Sequence, residues 1–460
     1  MQRALDFQRS PHLWVSFRFF ANVPVFLMLA SLGLAWSALS GHPFTRWNPL
    51  VLATTHLFTL GVLASAMLGA MMQILPVATR IQLLLPRITS LVVHACLTLG
   101  TLSLAMGFIA ARPAFHRVAL VLLSLAFLVF LGAVVGGMLR NWPQRAPGAG
   151  EILVAVRLAL LALVVTLVLG VFMAGLRGNI WAVGATQVGA WLHDLPNLHV
   201  AWGLAGWVGL LIAGVSYQVI PIFQATEIYP RPLTDSLAPA VFLLLGVVSV
   251  AGGWGGSQGG GPGLMQAVSV TLLALSFLTY ALVTARLLWT RKRPAPEPTT
   301  LFWYVAMASL ALAALGGTLR TWFPHMAPHR LDMLLGVLLI PGFAVSAVNG
   351  MLYKIVPFLL WHNAQRQAPV ALPFMPKVKQ FISEHSAKRQ FIVHLTAVVL
   401  LALSCLIPGM LAAAAIAWAI SAAMLSSNMF RALRLYAHTS ARISRSLAEM
   451  GQAERRKNAS

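Results

Sequence analysis

The sequence predicts an all-α polytopic membrane protein with twelve transmembrane helices arranged as three pseudo-repeated four-helix units. Three observations carry this. The 460 residues are 59% hydrophobic and only 9% charged, with a mean hydropathy of +0.81, a balance that soluble globular domains do not have. Twelve apolar runs approach or exceed the roughly 20 residues a helix needs to cross a bilayer. One glycine-rich helical pattern occurs three times at long spacing, the mark of a repeated larger unit.

In chain order, the first unit (1–150) holds apolar runs at 17–40, 50–76, 88–111 and 117–139. The first run is too long for a cleavable leader and lacks a small-residue cleavage site, so no signal peptide is expected. RNWPQRAPGAG at 140–150 is a proline- and glycine-rich linker that separates this unit from the next. The second unit (151–297) has runs at 151–175, 198–223, 236–255 and 264–287. Its connection 176–197 contains Trp181 and Trp191 and reads as an interfacial segment, with His193 and Asp194 at its end. The glycine-rich stretch 252–263 reads as a flexible turn, and RKRPAPEPTT at 291–300 is the second boundary. The third unit (298–436) has runs at 301–319, 331–360, 391–408 and 410–431, with a long loop at 361–390. A basic tail, 437–460, is expected to be a surface helix that frays.

The net charge of +22 follows topology. With the N-terminus inside, the inside segments carry 24 Lys and Arg residues and the outside loops 6. This bias predicts both termini in the cytoplasm of a bacterial-type inner membrane. The charge therefore meets anionic membrane lipids, and no nucleic-acid partner is expected. The two cysteines, Cys96 and Cys405, fall in apolar runs and read as small core residues.

The repeated pattern is clearest in HVAWGLAGWVGLLIAGVSYQVIPIF, 199–223. Aligned on the glycine seven residues before a proline, the three copies pair Gly69 with Pro76, Gly214 with Pro221 and Gly350 with Pro357. A second glycine lies eight residues earlier in each: Gly61, Gly206 and Gly342. Tyr217 and Tyr353 share one position, and Gln73, Gln218 and Lys354 share the next. The copies fall on the second helix of each unit. The third helices carry His94 and His394 in matching contexts.

None of the 10 acidic residues sits mid-span, which argues against a carboxylate-based ion site or proton antiporter. Histidine is the remaining ionisable type. His56 and His199 open glycine-rich members of the repeated helix at similar outer depth, which suits a haem or metal ligand as well as a hydrogen-bonded core imidazole. The glycines admit either a flat macrocycle or a neighbouring helix. His325 and His329 are spaced for one helical face, although Pro328 favours a loop there; both are kept as metal candidates. His94 and His394 read as packing or polar-crevice residues, and snorkelling is the simpler reading of Lys354.

In register, His199, Gly203, Gly206, Trp207, Gly209, Gly214, Tyr217 and Pro221 resemble the haem-ligating tenth helix of the catalytic subunit of cbb3-type cytochrome oxidases. Twelve helices, inside termini and a pseudo-threefold plan are similar to the haem-copper oxidase subunit I superfamily, which includes nitric oxide reductases. His56 matches the second-helix position that ligates the low-spin haem in that family. Departures accompany the match. Leu335 and Val337 occupy the tenth-helix histidine positions, Ala201 stands for the second histidine of the pair in the sixth helix, and the seventh helix has no histidine pair for copper. Measured from the shared glycine, His56 and His199 sit 13 and 15 residues back, about 200° apart around a helix.

The resemblance implies one haem b with His56 as an axial ligand. His199 would be the second ligand or part of a nearby outer metal site. It implies respiratory electron transfer or nitric oxide and redox handling, with respiratory or cytochrome partner subunits and no oxygen reduction. Copper handling through the outer histidines and the methionines is a weaker third reading, with no ligand pattern to support it. The alternative is a cofactor-free scaffold of the same fold, acting as transporter, assembly factor or accessory subunit.

Overall fold

The computed structural model describes residues 6–141, 150–181, 194–255, 263–293, 295–326, 328–367 and 375–459. Calls on Trp191, His193 and most of the 140–150 and 252–263 connections lie outside these.

Twelve helices are long and apolar enough to cross a membrane. They are α1 (Leu13–Leu39), α2 (Pro49–Thr79), α3 (Pro86–Ala110), α4 (Pro113–Arg140), α5 (Gly150–Arg177), α6 (Asp194–Gln224), α7 (Arg231–Ala251), α8 (Leu264–Trp289), α9 (Pro298–Trp322), α10 (His329–Arg366), α11 (Glu384–Ser404) and α12 (Leu411–Ala459). No strand occurs among the described residues. The chain is an all-α, multi-pass bundle. Its periphery is apolar, with Leu128, Val168 and Leu243 all exposed, as a lipid-facing surface requires.

The packing order is regular. Within each group of four, the third and fourth helices pack together: α3 on α4, α7 on α8 and α11 on α12. The fourth then packs on the first of the next group, α4 on α5 and α8 on α9, and α12 returns to α1 to close a ring. Inside the ring lie α2, α6 and α10. Each carries an eight-residue π-helical stretch: Leu57–Ala64, Trp202–Gly209 and Leu338–Val345. All three begin twelve residues before the shared glycine. The stretch in α10 touches those in α2 and α6.

The paired glycines let these inner helices sit directly on the first helix of their group. A Cβ on Gly69 would lie 2.8 Å from Phe19 Cβ, and one on Gly61 would run into the Phe26 ring. The same relation holds for Gly214 with Ala155 (2.5 Å) and Gly206 with Ala162 (2.7 Å). It holds again for Gly350 with Phe302 (2.6 Å) and Gly342 with Ser309 (2.6 Å). In every case the two partners on the first helix are seven residues apart. The glycine faces are therefore occupied by a helix.

Several boundaries differ from the sequence expectation. The helix of α10 continues from its expected end at 360 to Gln367, shortening the expected 361–390 loop. The residues after 432 continue α12 as one helix to Ala459. No glycine or proline interrupts 411–450, so nothing in the chain terminates it earlier. On the face opposite the termini, Arg46 in the α1–α2 connection donates to Asn197 of α6 at 2.6 Å and lies 3.7 Å from Asp332 of α10. Asp332 also pairs with Arg320 of α9 at 2.9 Å. This clasp joins the ends of the inner helices.

Candidate cofactor site at the ends of α2 and α6

His56 is the last α-helical residue before the π-helical stretch of α2. Its Nδ1 lies 2.8 Å from the Leu52 carbonyl. A carbonyl only accepts, so the ring proton sits on Nδ1 and Nε2 keeps its lone pair. The imidazole stacks on Phe108 of α3, with centroids 5.2 Å apart at 27°. Phe108 also meets His116 of α4 edge-on at 5.2 Å and lies under the Arg177 guanidinium of α5 at 5.3 Å. A cation over an aromatic face is favourable, so Phe108 ties three polar side chains into one cluster.

His199, three residues before the π-helical stretch of α6, is oriented the same way. Its Nδ1 lies 3.0 Å from the Thr166 carbonyl of α5. Its ring passes over Gly170, where a Cβ would stand 3.0 Å from Cε1. Phe108 links His56 to Arg177 of α5, and His199 lies on Gly170 of the same helix, two turns away. The two histidines singled out in the sequence thus reach one region of the fold despite their different helical phase. His56 faces α3 and His199 faces α5.

His116, Arg177 and Phe108 were not singled out by the sequence reading. Their common outer depth was visible, but their convergence depends on how α3, α4 and α5 pack. His116 is buried, and its Nδ1 has no hydrogen-bond partner. His325 and His329 are exposed on the same face and make no part of this cluster. His329 lies in the first turn of α10, behind Pro328, because proline suits the first helical position.

Among the described residues, no three His, Cys, Asp or Glu side chains are placed to hold a metal ion. A haem brings its own four nitrogens and asks the chain only for axial ligands, and each of the two imidazoles keeps Nε2 for that role. A backbone carbonyl on the far nitrogen is the usual partner of a ligating histidine.

His94 and His394 bond neighbouring polar side chains. His94 Nε2 is 3.1 Å from Asn22 Oδ1, and Asn22 reaches Ser65 at 3.4 Å. His394 Nε2 is 2.8 Å from Ser346 Oγ, with Asn349 3.4 Å from its Nδ1. Ser65 and Ser346 hold the same position, four residues before the shared glycine. Lys354 is paired with Glu297, which also holds Arg293 at 2.9 Å.

No protein-family model matches this chain, and no curated protein matches it in sequence.

Proposed function

We propose that the chain is a membrane haem protein related to haem-copper oxidase catalytic subunits, holding one haem b between α2 and α6. In this reading both termini are cytoplasmic, and the face bearing His56 and His199 is outer. One observation carries the proposal: two span histidines both border α5, His56 through Phe108 under Arg177 and His199 on Gly170, each with Nδ1 tied to a backbone carbonyl so that Nε2 is left to ligate.

When bound, the haem supplies one-electron redox chemistry. The chain supplies the rest. His56 and His199 would hold the iron through Nε2, and the carbonyls of Leu52 and Thr166 hold their tautomers. Arg177 offers a cation to an anionic edge, and Phe108 keeps water from the His56 ring face. Neither α7 nor the Leu335 and Val337 positions of α10 offers a histidine, so a conventional haem-copper centre is not part of the proposal. The role is respiratory electron transfer or nitric oxide and redox handling. The recurring glycine contacts and π-helical stretches support three related four-helix units.

A second reading, the cofactor-free scaffold, draws support from the glycine faces, because the close approach they allow is taken by α1, α5 and α9. A reduced-minus-oxidised visible spectrum of the purified protein, with haem extraction, separates the two. A b-type spectrum at about one haem per chain, lost in the folded His56→Ala, His199→Ala double variant, supports the first. A featureless spectrum from folded protein sinks it.

A further inference from the structure

An apolar cavity lies in the terminal half of the bundle, away from the histidine site. It has a volume of about 130 Å³ and is lined mainly by α2, α6 and α10. Its walls run from Ala66 to Val77, from Leu211 to Phe223 and from Ala347 to Leu359. At 1.5 Å per residue this is a slot roughly 16–18 Å long. That volume spread over that length is about as wide as a single alkyl chain.

The few polar groups in the wall are already bonded. Ser216 donates to the Ala213 carbonyl at 2.7 Å and accepts from Tyr280 at 2.9 Å. Gln73 accepts from Ser16 and donates to Ser10, both at 3.1 Å. Whatever fills the slot must therefore bury only hydrocarbon, because a polar group would find no partner.

The terminal mouth has a different character. The segment Asp6–Ser10 crosses it, with the Phe7 ring 4.8 Å from Phe358. His362 donates to the Phe7 carbonyl at 3.1 Å, and Arg366 donates to the Ser10 carbonyl at 2.9 Å. The carboxylate there, Asp6, is paired with Arg9 at 3.2 Å. The mouth thus carries the cationic side chain of Arg366 beside an imidazole, above a dry apolar slot.

We infer that this slot binds a single-chain anionic amphiphile, a long-chain carboxylate, with its alkyl chain between α2, α6 and α10 and its head group at Arg366 and His362. Phe7 is the stopper that the chain displaces on entry. Shape selects one chain over two, and the charge at the mouth selects an anion over a neutral head.

Native mass spectrometry of the full chain in neutral detergent tests this with dodecanoate, dodecanol and a two-chain phosphatidylglycerol. Dodecanoate should bind saturably at one per chain. Val215→Phe, which fills the slot from α6, should weaken it at least tenfold, and Val348→Phe does the same from α10. Arg366→Gln should weaken dodecanoate several-fold and leave dodecanol unchanged. Non-saturable dodecanoate binding, or equal binding to both slot-filling variants, overturns the assignment. So does preferential binding of the two-chain lipid that neither variant disturbs. None of these readouts depends on haem.

Discussion

Phe108 lies against the His56 imidazole with 5.2 Å between centroids and carries the Arg177 guanidinium at 5.3 Å. A stacked ring on one face and a carbonyl on Nδ1 leave this histidine little rotational freedom. His199 is positioned differently, by the bare backbone of Gly170 beneath its ring. The two imidazoles are thus held by separate supports, and each support can be removed without touching the ring itself.

Gly170→Ala tests the His199 support. Its Cβ would stand 3.0 Å from His199 Cε1, so the ring must move by several tenths of an ångström. Haem content should fall several-fold, or the α band should shift, as in His199→Ala, while Phe108→Leu, which removes the ring stacked on His56, should shift the band less. Spectra and extracted haem per chain read this directly. A Gly170→Ala protein with unchanged spectrum would remove His199 from the ligand set.

His394 should behave as a structural residue. It is fully buried between Ser346 and Asn349, and the rings of Phe302 and Trp418 flank it at 5.0 and 5.1 Å. His394→Leu strands the Asn349 amide, while Ser346 keeps the Pro341 carbonyl at 3.3 Å, at a cost of about 1–3 kcal/mol. Thermal unfolding in detergent should show the loss, and the visible spectrum should not change.

The Glu297 carboxyl predicts an acid limb. Burial opposes its ionisation, but the hydrogen bond and charge of Lys354, helped by Arg293 and Lys379, hold it below the ordinary carboxylate value. A depressed folded-state pKa stabilises the fold fully above the unfolded value of about 4.3, and the contribution fades as pH falls through the lower folded value. Stability measured from pH 6 down to pH 3 should fall less steeply in Glu297→Gln than in the parent. Coincident slopes would show that the ion pair contributes nothing.

The fold was legible because it rests on composition and period. Apolar length locates spans, and the glycine pair placed α2, α6 and α10 as one kind of helix before their packing was known. The end of α10 was placed too early because the apolar run stops near 360 while the helix continues with polar residues to Gln367. The site was legible only in part. His56 and His199 stood out as imidazoles in apolar helices, whereas Phe108 is an ordinary residue until α3 packs beside α2. Lys354 looked unpaired because Glu297 lies 57 residues away and outside the span. The sequence also left open whether the glycines admit a macrocycle or a helix, and only the packing of α1, α5 and α9 answers that.

That packing yields the sharpest test of threefold kinship. A methyl on Gly214 would stand 2.5 Å from Ala155 Cβ, so Gly214→Ala forces α6 and α5 apart and should cost about 1–3 kcal/mol. Ala155→Gly vacates that space, and the double variant should recover most of the loss. A thermal-denaturation double-mutant cycle isolates the coupling from each residue's effect on helix propensity. The corresponding clashes at Gly69 and Gly350 are with the Cβ atoms of Phe19 and Phe302. A β-carbon cannot swing away as the far end of a side chain can, so Gly69→Ala and Gly350→Ala should be at least as costly. If one of the three glycines accepts alanine freely while the others do not, the contact seen three times in register is not one inherited interface.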